Sequence, residues 1–237
     1  MNIAIIIAGG SGLRMNQDIP KQFINVFDKP VIIYTLEAFQ QHPDIDEILV
    51  VCLEGWHEIL RAYAKQFNIS KLKNVVLGGN TGQESIQNGI FTLDKEGYSA
   101  DDTVLIHDAI RPMISPEMIS DCIAKCRVHG NAVVSLPTLE TVMRTYDKVK
   151  STESIPRDTI MRVQTPQAYK LNDMVSLYNE AITKGITNSV YTNTLMIELG
   201  REVYFAIGSE KNIKLTTTDD IELFKLLLKS KKDEWIK

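Results

Sequence analysis

Short apolar runs alternate with amphipathic segments along most of the chain, and each pattern predicts its own element. An unbroken run of β-branched and aliphatic residues is typical of a strand buried on both faces, whereas apolar residues every three or four positions indicate a helix. The predicted strands cover residues 3–7, 47–52, 74–77, 103–106 and 131–136, and the predicted helices between them cover 31–40, 56–67, 84–92 and 116–128. This alternation predicts an α/β fold with a doubly wound, mostly parallel, Rossmann-like sheet.

The pattern changes after Pro137. Residues 138–165 hold two alternating, strand-like pieces joined by a polar stretch, which predicts a projecting hairpin that we call the β-arm. An isolated two-stranded hairpin is barely stable in water, so we expect the β-arm to need a partner surface, as in a homodimer. The rest of the chain predicts helices at 172–184 and 192–199, a strand at 202–206 and a last helix after NIKLTT.

Thr217 and Asp220 have the spacing of a capping box at the start of that last helix. The composition does not separate the chain into two halves. We therefore interpret residues 1–237 as a single domain, with residues 138–165 as an excursion used for dimerisation.

Composition and charge exclude several classes of function. With 44% apolar and 24% charged residues, the 237-residue chain resembles a soluble globular protein, and its net charge of −4 argues against a surface for nucleic acid. The apolar runs are strand-sized and the N-terminus has no basic segment, so we expect neither a membrane span nor a secretory signal. We expect a cytoplasmic protein without nucleic-acid or membrane partners.

Cys122 and Cys126 lie four residues apart on a predicted helix, with His129 one turn further on. A metal site is one interpretation of this set, but the fourth ligand has no obvious source. Cysteines with this spacing on an amphipathic helix are usually small core residues, and this is the interpretation that we favour.

The sequence IIIAGGSGLRMNQDIPKQF joins the first predicted strand to a turn with three glycines, Gly9, Gly10 and Gly12. Glycine permits positive φ and lets backbone N–H groups approach an anion, so the turn is a candidate phosphate site. A dinucleotide fingerprint would need glycine at Met15, and a Walker loop would need Gly-Lys in place of Leu-Arg. From the turn alone, an ordinary strand-to-helix connection is the alternative.

Three polar, loop-forming segments follow predicted strands: the glycine turn, GGNTGQESI and HDAIRP. Parallel strands place their carboxyl ends on one edge of a sheet, where ligands bind. We therefore expect four cations near strand ends to converge on a phosphate, the alternative being four solvated surface charges. These cations are Arg14, Lys21, Arg111 and Lys214.

Six motifs in order, within residues 3–227, resemble the cytidylyltransferases that activate polyol phosphates. They are AGGSGLRM, PKQF, GGNTGQESI, HDAIRP, TPQ and NIKLTT. The two branches of this family act on 2-C-methyl-D-erythritol 4-phosphate, for isoprenoid precursors, and on D-ribitol 5-phosphate, for teichoic acid or capsule. The resemblance implies a nucleotidyltransferase fold and an attack of the substrate phosphate on the α-phosphorus of CTP, which forms a CDP-polyol and pyrophosphate.

The resemblance also implies roles for individual residues. The catalytic residues are Arg14, Lys21 and Lys214. The nucleotide-binding residues are Ala8, Gly9, Gly10, Ser11, Gly12, Gly79, Asn80, Ser85 and Asp108, and Asp108 is also the expected contact of a Mg²⁺ ion that accompanies CTP. The acceptor phosphate is bound by Arg111, Thr141, Arg157 and Thr165, the last two reaching in from a partner's β-arm. His107 has a structural role, because the attacking phosphate needs no base.

The sequence leaves the acceptor open. GQESI and HDAIRP favour the methylerythritol branch, which we place first, whereas Trp56 after LEG is similar to some ribitol enzymes. The segment VYTNTLMIE, residues 190–198, departs from the acidic motif that both branches usually carry before the late helix. Further alternatives are a sugar-1-phosphate nucleotidyltransferase that uses UTP or dTTP, and a non-catalytic nucleotide-binding protein, against which the intact Arg14, Lys21 and Lys214 argue.

Overall fold

A computed structural model gives the structure of residues 1–10 and 19–232. In chain order its strands are β1 (Asn2–Ala8), β2 (Asn25–Val26), β3 (Lys29–Pro30), β4 (Glu47–Cys52), β5 (Leu72–Leu77), β6 (Thr103–Asp108), β7 (Asn131–Pro137), β8 (Val142–Arg144), β9 (Glu153–Ile155), β10 (Met161–Lys170) and β11 (Phe205–Ile207). Its helices are α1 (Val31–Gln41), α2 (His57–Gln66), α3 (Gly82–Lys95), α4 (Pro116–His129), α5 (Leu171–Thr183), α6 (Thr192–Glu198) and α7 (Thr218–Lys232).

The central sheet has the strand order β11–β7–β10–β6–β1–β4–β5. Neighbouring strands are parallel except at β10, which runs antiparallel to both β6 and β7. The predicted mostly parallel sheet is therefore confirmed. Because β1 and β6 are neighbours while the chain leaves them toward opposite edges of the sheet, their carboxyl ends form the crevice in which ligands of such sheets bind.

Helices cover both faces of the sheet and create two apolar layers. Ile6 of β1 packs with Ile33 and Leu36 of α1, in a layer that also contains α2 and α4. Ile5 packs with Ile86 of α3 on the other face, in a layer shared with α5 and α6. Successive side chains of a strand point to opposite faces, so a strand covered on both sides has to be apolar throughout. Among the helices described, none combines the length and apolar character needed to cross a membrane.

The strands and helices predicted before Pro137 are confirmed to within three residues at each end. The two helices predicted after the β-arm are α5 and α6, and the strand predicted at 202–206 is observed slightly later, as β11. The capping box of α7 is also confirmed. Asp220 N donates to Thr217 Oγ1 at 3.3 Å, and Thr217 N donates to Asp220 Oδ2 at 2.8 Å.

The β-arm is shorter than predicted. β8 and β9 pair as an antiparallel hairpin within the predicted segment 138–165. The end of that segment is different, because β10 begins at Met161 and runs between β6 and β7 in the central sheet. The prediction missed this strand because Thr165 and Gln167, which are polar, interrupt its apolar pattern although both are buried.

The cysteines of α4 lie in the core. The thiol of Cys122 donates to the carbonyl oxygen of Ala132 at 3.5 Å, and burial raises the pKa of Cys126 to about 11. His129 stacks on Tyr204 with ring centroids 4.2 Å apart. The core interpretation of these cysteines is therefore confirmed.

Candidate active site

A cavity of about 740 Å³ opens at the carboxyl ends of β1 and β6. The turn after β1, the start of α3 and the end of β6 all contribute to its wall, so the three segments predicted to share one edge of the sheet meet in one cavity. The predicted site residues that line it are Ala8, Gly9, Gly10, Lys21, Gly79, Asn80, Ser85, Asp108, Thr165 and Lys214.

The turn after β1 is held by contacts to its backbone. Gln22 is buried, and its Nε2 donates to the carbonyl oxygens of Ala8 at 2.7 Å and Gly10 at 3.0 Å. A Cβ atom on Gly9 would lie only 3.1 Å from Ser85 Oγ. Glycine at this position therefore lets the turn after β1 pack closely against the start of α3.

The start of α3 forms another wall of the cavity. Thr81 caps the helix, since its Oγ1 accepts from Glu84 N at 3.1 Å. Ser85 Oγ accepts from Gly79 N at 3.0 Å and donates to the Thr81 carbonyl oxygen at 2.9 Å. Asn80 N donates to Glu84 Oε2 at 2.7 Å. These bonds fix the backbone of the GGNTGQESI segment beside the cavity.

Asp108, Arg111 and Lys214 form a cluster of three charges, which we call the charge cluster. Lys214 Nζ donates to Asp108 Oδ1 at 3.2 Å and lies 3.1 Å from Oδ2, and Arg111 Nε donates to Asp108 Oδ2 at 3.0 Å. Burial raises the pKa of Asp108, but the charges of Lys214 and Arg111 outweigh burial, so this pKa lies below its ordinary value. Burial opposes the charged form of Lys214, but Asp108 raises its pKa above the ordinary value. One carboxylate and two cations leave the cluster with a net charge of +1.

Tyr191 stands beside the charge cluster on the cavity wall. Its hydroxyl accepts a hydrogen bond from Lys214 Nζ, and its ring centroid lies 5.0 Å from the same nitrogen. Lys214 is thus held between a carboxylate and a phenol, with 30% of its side chain exposed. The ammonium can therefore reach a ligand in the cavity without leaving either contact.

His107 is fully buried next to the charge cluster. Its Nε2 lies 3.1 Å from the Arg111 carbonyl oxygen, and burial lowers its pKa to about 4. The ring is therefore neutral at pH 7, and Nε2–H donates to that carbonyl. Its Nδ1 has no hydrogen-bond partner in the described part of the chain. These contacts support the structural role expected of His107, which fixes the backbone at Arg111.

Lys21 begins a 3-10 turn, Lys21–Phe23, and lines the cavity. The turn is closed by Phe23 N, which donates to the Pro20 carbonyl oxygen at 2.8 Å. The other predicted residues of the glycine turn lie outside the described residues; they are Ser11, Gly12 and Arg14.

The family model of 2-C-methyl-D-erythritol 4-phosphate cytidylyltransferase (IspD) matches residues 2–230. The chain belongs to this cytidylyltransferase family. The ribitol-5-phosphate cytidylyltransferase of Lacticaseibacillus paracasei is 49% identical over 98% of this chain and 99% of the relative. The 2-C-methyl-D-erythritol 4-phosphate cytidylyltransferase of Clostridium tetani is 38% identical over 93% of this chain and 87% of the relative. Among solved structures, 4-diphosphocytidyl-2C-methyl-D-erythritol synthase of Anaerococcus prevotii has a TM-score of 0.81, with 27% identity and 96% of both chains covered.

Membership of the cytidylyltransferase family confirms the resemblance and the fold expected from it. It also confirms the expectation of an enzyme that transfers CMP from CTP. Both acceptors considered from the sequence occur in the names of these relatives. These matches argue against the two further alternatives, a non-catalytic protein and a sugar-1-phosphate enzyme.

One predicted residue of the cytidylyltransferase lies elsewhere than expected. The resemblance implied that Thr165 reaches in from a partner's β-arm, but Thr165 lies in β10 of the central sheet. Because β10 pairs with β6, Thr165 Oγ1 accepts from Asp108 N of the same chain at 3.1 Å. Thr165 therefore lines the cavity of its own chain, and the expectation that it acts across an interface is wrong.

The remaining acceptor residues divide between two places. Arg111 belongs to the charge cluster, and its Nη1 donates to the Asn212 carbonyl oxygen at 2.8 Å. Arg157 lies on the β-arm segment, where its Nη1 donates to the Leu139 carbonyl oxygen at 3.0 Å. Within the described residues, neither Thr141 nor Arg157 lines the cavity of its own chain. Their contact with an acceptor stays a prediction.

Sequence reasoning missed three residues of the site. Gln22 supports the glycine turn. Its position inside the PKQF motif is the one feature of the sequence that could have indicated this contact. Thr81 could have been found, because Thr81 and Glu84 have the spacing of a helix cap. Tyr191 lies in the segment 190–198, outside all six motifs, so the sequence gives no sign of its contact with the site.

Proposed function

We propose that this cytidylyltransferase transfers CMP from CTP to D-ribitol 5-phosphate. The observation that carries the reaction is the cavity at the carboxyl ends of β1 and β6, in which Lys21 and Lys214 stand beside two closely packed turns. The choice of acceptor is supported by the 49% identity to the ribitol-5-phosphate enzyme of L. paracasei. The second candidate acceptor is 2-C-methyl-D-erythritol 4-phosphate, supported by the family model and by the C. tetani relative.

In this reaction a phosphate oxygen of the acceptor bonds to the α-phosphorus of CTP. The bond from that phosphorus to the bridging oxygen breaks on the opposite side, and pyrophosphate leaves with the electron pair. No proton has to be removed, because the attacking phosphate is already an anion near neutral pH. Lys21 and Lys214 stabilise the charge that develops on the α-phosphoryl and pyrophosphate oxygens, and Arg14 is proposed to act with them.

The two turns beside the cavity are proposed to select the nucleoside. A Cβ atom on Gly79 would lie 2.3 Å from the Glu84 side chain, so the backbone there is tightly enclosed. The backbone of Ala8, Gly79 and Asn80 is proposed to face cytosine and ribose. The N–H groups of Gly79 and Asn80 already donate to Ser85 Oγ and Glu84 Oε2, so their carbonyl oxygens are the groups proposed to bind. A pocket with such fixed walls disfavours the larger purine bases.

We propose Mg²⁺ as a companion of the CTP phosphates. Within residues 1–10 and 19–232, Asp108 is the one acidic side chain that lines the cavity. The same residues contain no cluster of three His, Cys, Asp or Glu side chains that could hold a metal without the substrate. Mg²⁺ usually takes one or two carboxylates and completes its shell with water and substrate phosphates. We therefore propose Asp108 as its protein contact. When bound, the ion supplies further charge neutralisation on the phosphates.

We also propose a homodimer in which each β-arm completes the acceptor site of its neighbour. The segment that contains the arm exposes Leu139, Met143, Tyr146 and Val149, whose exposed fractions are 69%, 62%, 91% and 86%. Covering such a hairpin with a second copy would bury this apolar surface. Arg157 and Thr141 would then contact the acceptor phosphate of the neighbouring chain.

Cytoplasmic localisation is part of the proposal. All three cysteines, Cys52, Cys122 and Cys126, are buried free thiols. Free thiols are typical of a reducing compartment. Fractionation of the source cells, with the protein detected by antibody, tests this point.

Pyrophosphate release from CTP, measured with D-ribitol 5-phosphate and with 2-C-methyl-D-erythritol 4-phosphate, tests the proposed function. We expect kcat/KM to be at least about tenfold higher with D-ribitol 5-phosphate, because a site built for one set of hydroxyls leaves polar groups unpaired with the other. A higher value with the methylerythritol compound would replace the acceptor but keep CMP transfer. Faster release from UTP than from CTP would overturn the cytidylyl proposal itself.

A further inference from the structure

We propose that Tyr191 is a positioning residue of the reaction, whose hydroxyl holds the Lys214 ammonium at the cavity wall where the CTP phosphates bind. The inference rests on the proposed function, because it takes Lys214 as a phosphate-binding cation. It concerns a residue outside the six sequence motifs, in the segment 190–198.

Tyr191 contacts Lys214 through its hydroxyl. Lys214 Nζ donates a hydrogen bond to this hydroxyl, and that bond places the nitrogen 5.0 Å from the ring centroid. Both residues line the same cavity. On its other side the ammonium lies 3.1 Å from Asp108 Oδ2.

The two anchors of the ammonium have different electrostatic effects. The Asp108 carboxylate holds Lys214 but offsets part of its charge, so it weakens the attraction of a phosphate. The phenol is neutral, so it directs the ammonium without that loss. An ammonium has three N–H donors, and with Asp108 and Tyr191 taking two, the third remains for a phosphate oxygen.

Tyr191 is itself held by its main chain. It precedes α6, where its N donates to Thr194 Oγ1 at 2.9 Å and its carbonyl oxygen accepts from Leu195 N at 3.0 Å. Neither bond uses the phenol. Tyr191→Phe therefore keeps the start of α6 and the aromatic ring beside Lys214, and removes only the hydroxyl contact.

A double-mutant cycle of Tyr191→Phe and Lys214→Ala tests the proposal. We expect Tyr191→Phe alone to lower kcat about tenfold, the effect of one hydrogen bond to a charged group, with KM for CTP changed less than about threefold. In the Lys214→Ala background the same substitution should have no further effect, because the group on which the hydroxyl acts is gone.

Tyr204→Phe is the matched control. The Tyr204 hydroxyl lies 3.4 Å from Glu202 Oε2, and among the described residues Tyr204 does not line the cavity. Removal of the Tyr204 hydroxyl should leave kcat unchanged. Thermal unfolding of each variant checks the fold, and Lys214→Met, which keeps the aliphatic stem, is a second background in case Lys214→Ala does not fold.

Two results would overturn the positioning role: an unchanged kcat in Tyr191→Phe, or an equal loss when this substitution is added to wild type and to the Lys214 variant. Single-turnover assays with excess enzyme and labelled CTP measure the slowest variants. If the Lys214 variant itself turns over normally, the proposed role of Lys214 fails. This failure can be distinguished from a failure of the Tyr191 proposal, because it is measured in a protein in which Tyr191 is intact.

Discussion

The cavity and the β-arm belong to one chain, but they depend on different surroundings. At the cavity, His107 is fully buried and Asp108 is 8% exposed, and both are bonded to other elements of the core. On the β-arm, Tyr146 is 91% exposed, and the contacts lie within the hairpin, as where Thr145 Oγ1 donates to the Lys150 carbonyl oxygen at 2.8 Å. The single chain therefore fixes the geometry of the cavity, whereas the arm has a surface that another molecule can cover.

We expect this difference to separate the binding of the two substrates. Those residues expected to bind the nucleotide that lie in the described part of the chain line the cavity, and Thr165 joins them because β10 is a central strand. Thr141 and Arg157, expected to bind the acceptor, lie on the segment that contains the arm. If the proposed dimer is correct, one chain suffices to bind CTP and two chains are needed to bind the acceptor.

The largest effect is expected at the cavity. Lys21→Ala should lower kcat by on the order of 100-fold or more, with a smaller change in CTP affinity, because the lost charge acts on the transition state. Arg14→Ala should behave similarly and non-additively with it, since both residues are proposed to act on one phosphate cluster. Steady-state assays of pyrophosphate release, with CTP affinity from calorimetry, separate the two quantities.

Lys184→Ala is a suitable control, since Lys184 is an exposed lysine just after α5 whose Nζ lies 2.8 Å from Glu180 Oε1. The kcat of the Lys184→Ala variant should match that of the wild-type protein. A normal kcat with only a raised KM for CTP in Lys21→Ala would limit Lys21 to ground-state binding.

Mixed dimers test whether the β-arm works across the interface. Lys21→Ala and Arg157→Ala chains, each nearly inactive alone, should form dimers in which one site has both residues intact. Random pairing places half of the dimers in this class, each with one of two sites working, so about a quarter of wild-type activity should return. Co-expression of two differently tagged chains supplies this mixture, in which the activity is measured first. Purification on both tags then keeps only the mixed dimers, so the activity per dimer should rise to about half of the wild-type value.

The matched control combines Lys21→Ala with Lys214→Ala. Both residues line the cavity of their own chain, so each site of this mixed dimer lacks one cation and no activity should return. If the mixed dimers of Lys21→Ala and Arg157→Ala chains stay inactive although both chains are folded, Arg157 does not act in the neighbour's site.

The sequence predicted the strands that end at the cavity, and the edge of the sheet where it opens, because burial there follows simple patterns. β1 and β6 are apolar along most of their length and covered on both faces, and their ends carry the motifs. β10 was missed for the opposite reason. Gln167 is buried but its amide nitrogen donates to Asn193 Oδ1 at 3.0 Å, and Tyr169 donates to Gln167 Oε1 at 2.8 Å, so polar residues satisfy each other inside the core.

The contact between Tyr191 and Lys214 could not be predicted for another reason. The two residues are separated by 23 positions, and they meet only because the start of α6 and the segment before α7 reach the same cavity. A contact between two loops follows no periodicity. The same limit applies to the place of Thr165, which depends on the position of β10 in the sheet.

A smaller effect, on stability, should also distinguish the two regions. The unfolded chain binds a proton at His107 near pH 6.5, and the folded chain binds it only near pH 4. Acidification between these values therefore favours unfolding, by about 3 kcal/mol in full. His107→Gln, whose amide can donate to the Arg111 carbonyl oxygen, should lose less stability over this range. Denaturant unfolding at several pH values measures the difference, and parallel curves for the two proteins would contradict it.

The smallest effect on the isolated chain is expected from Met143→Ser on the β-arm. Met143 is 62% exposed, so its replacement should change the free energy of unfolding of the monomer by less than about 0.5 kcal/mol. The same change at Met174, which is fully buried in α5, should cost several times more, roughly 2–5 kcal/mol. If two arms cover each other, Met143→Ser should nevertheless weaken the dimer, which sedimentation at several concentrations measures. A loss in the monomer as large as that of Met174→Ser would show that the arm belongs to the core, and the contrast between the two regions would fail.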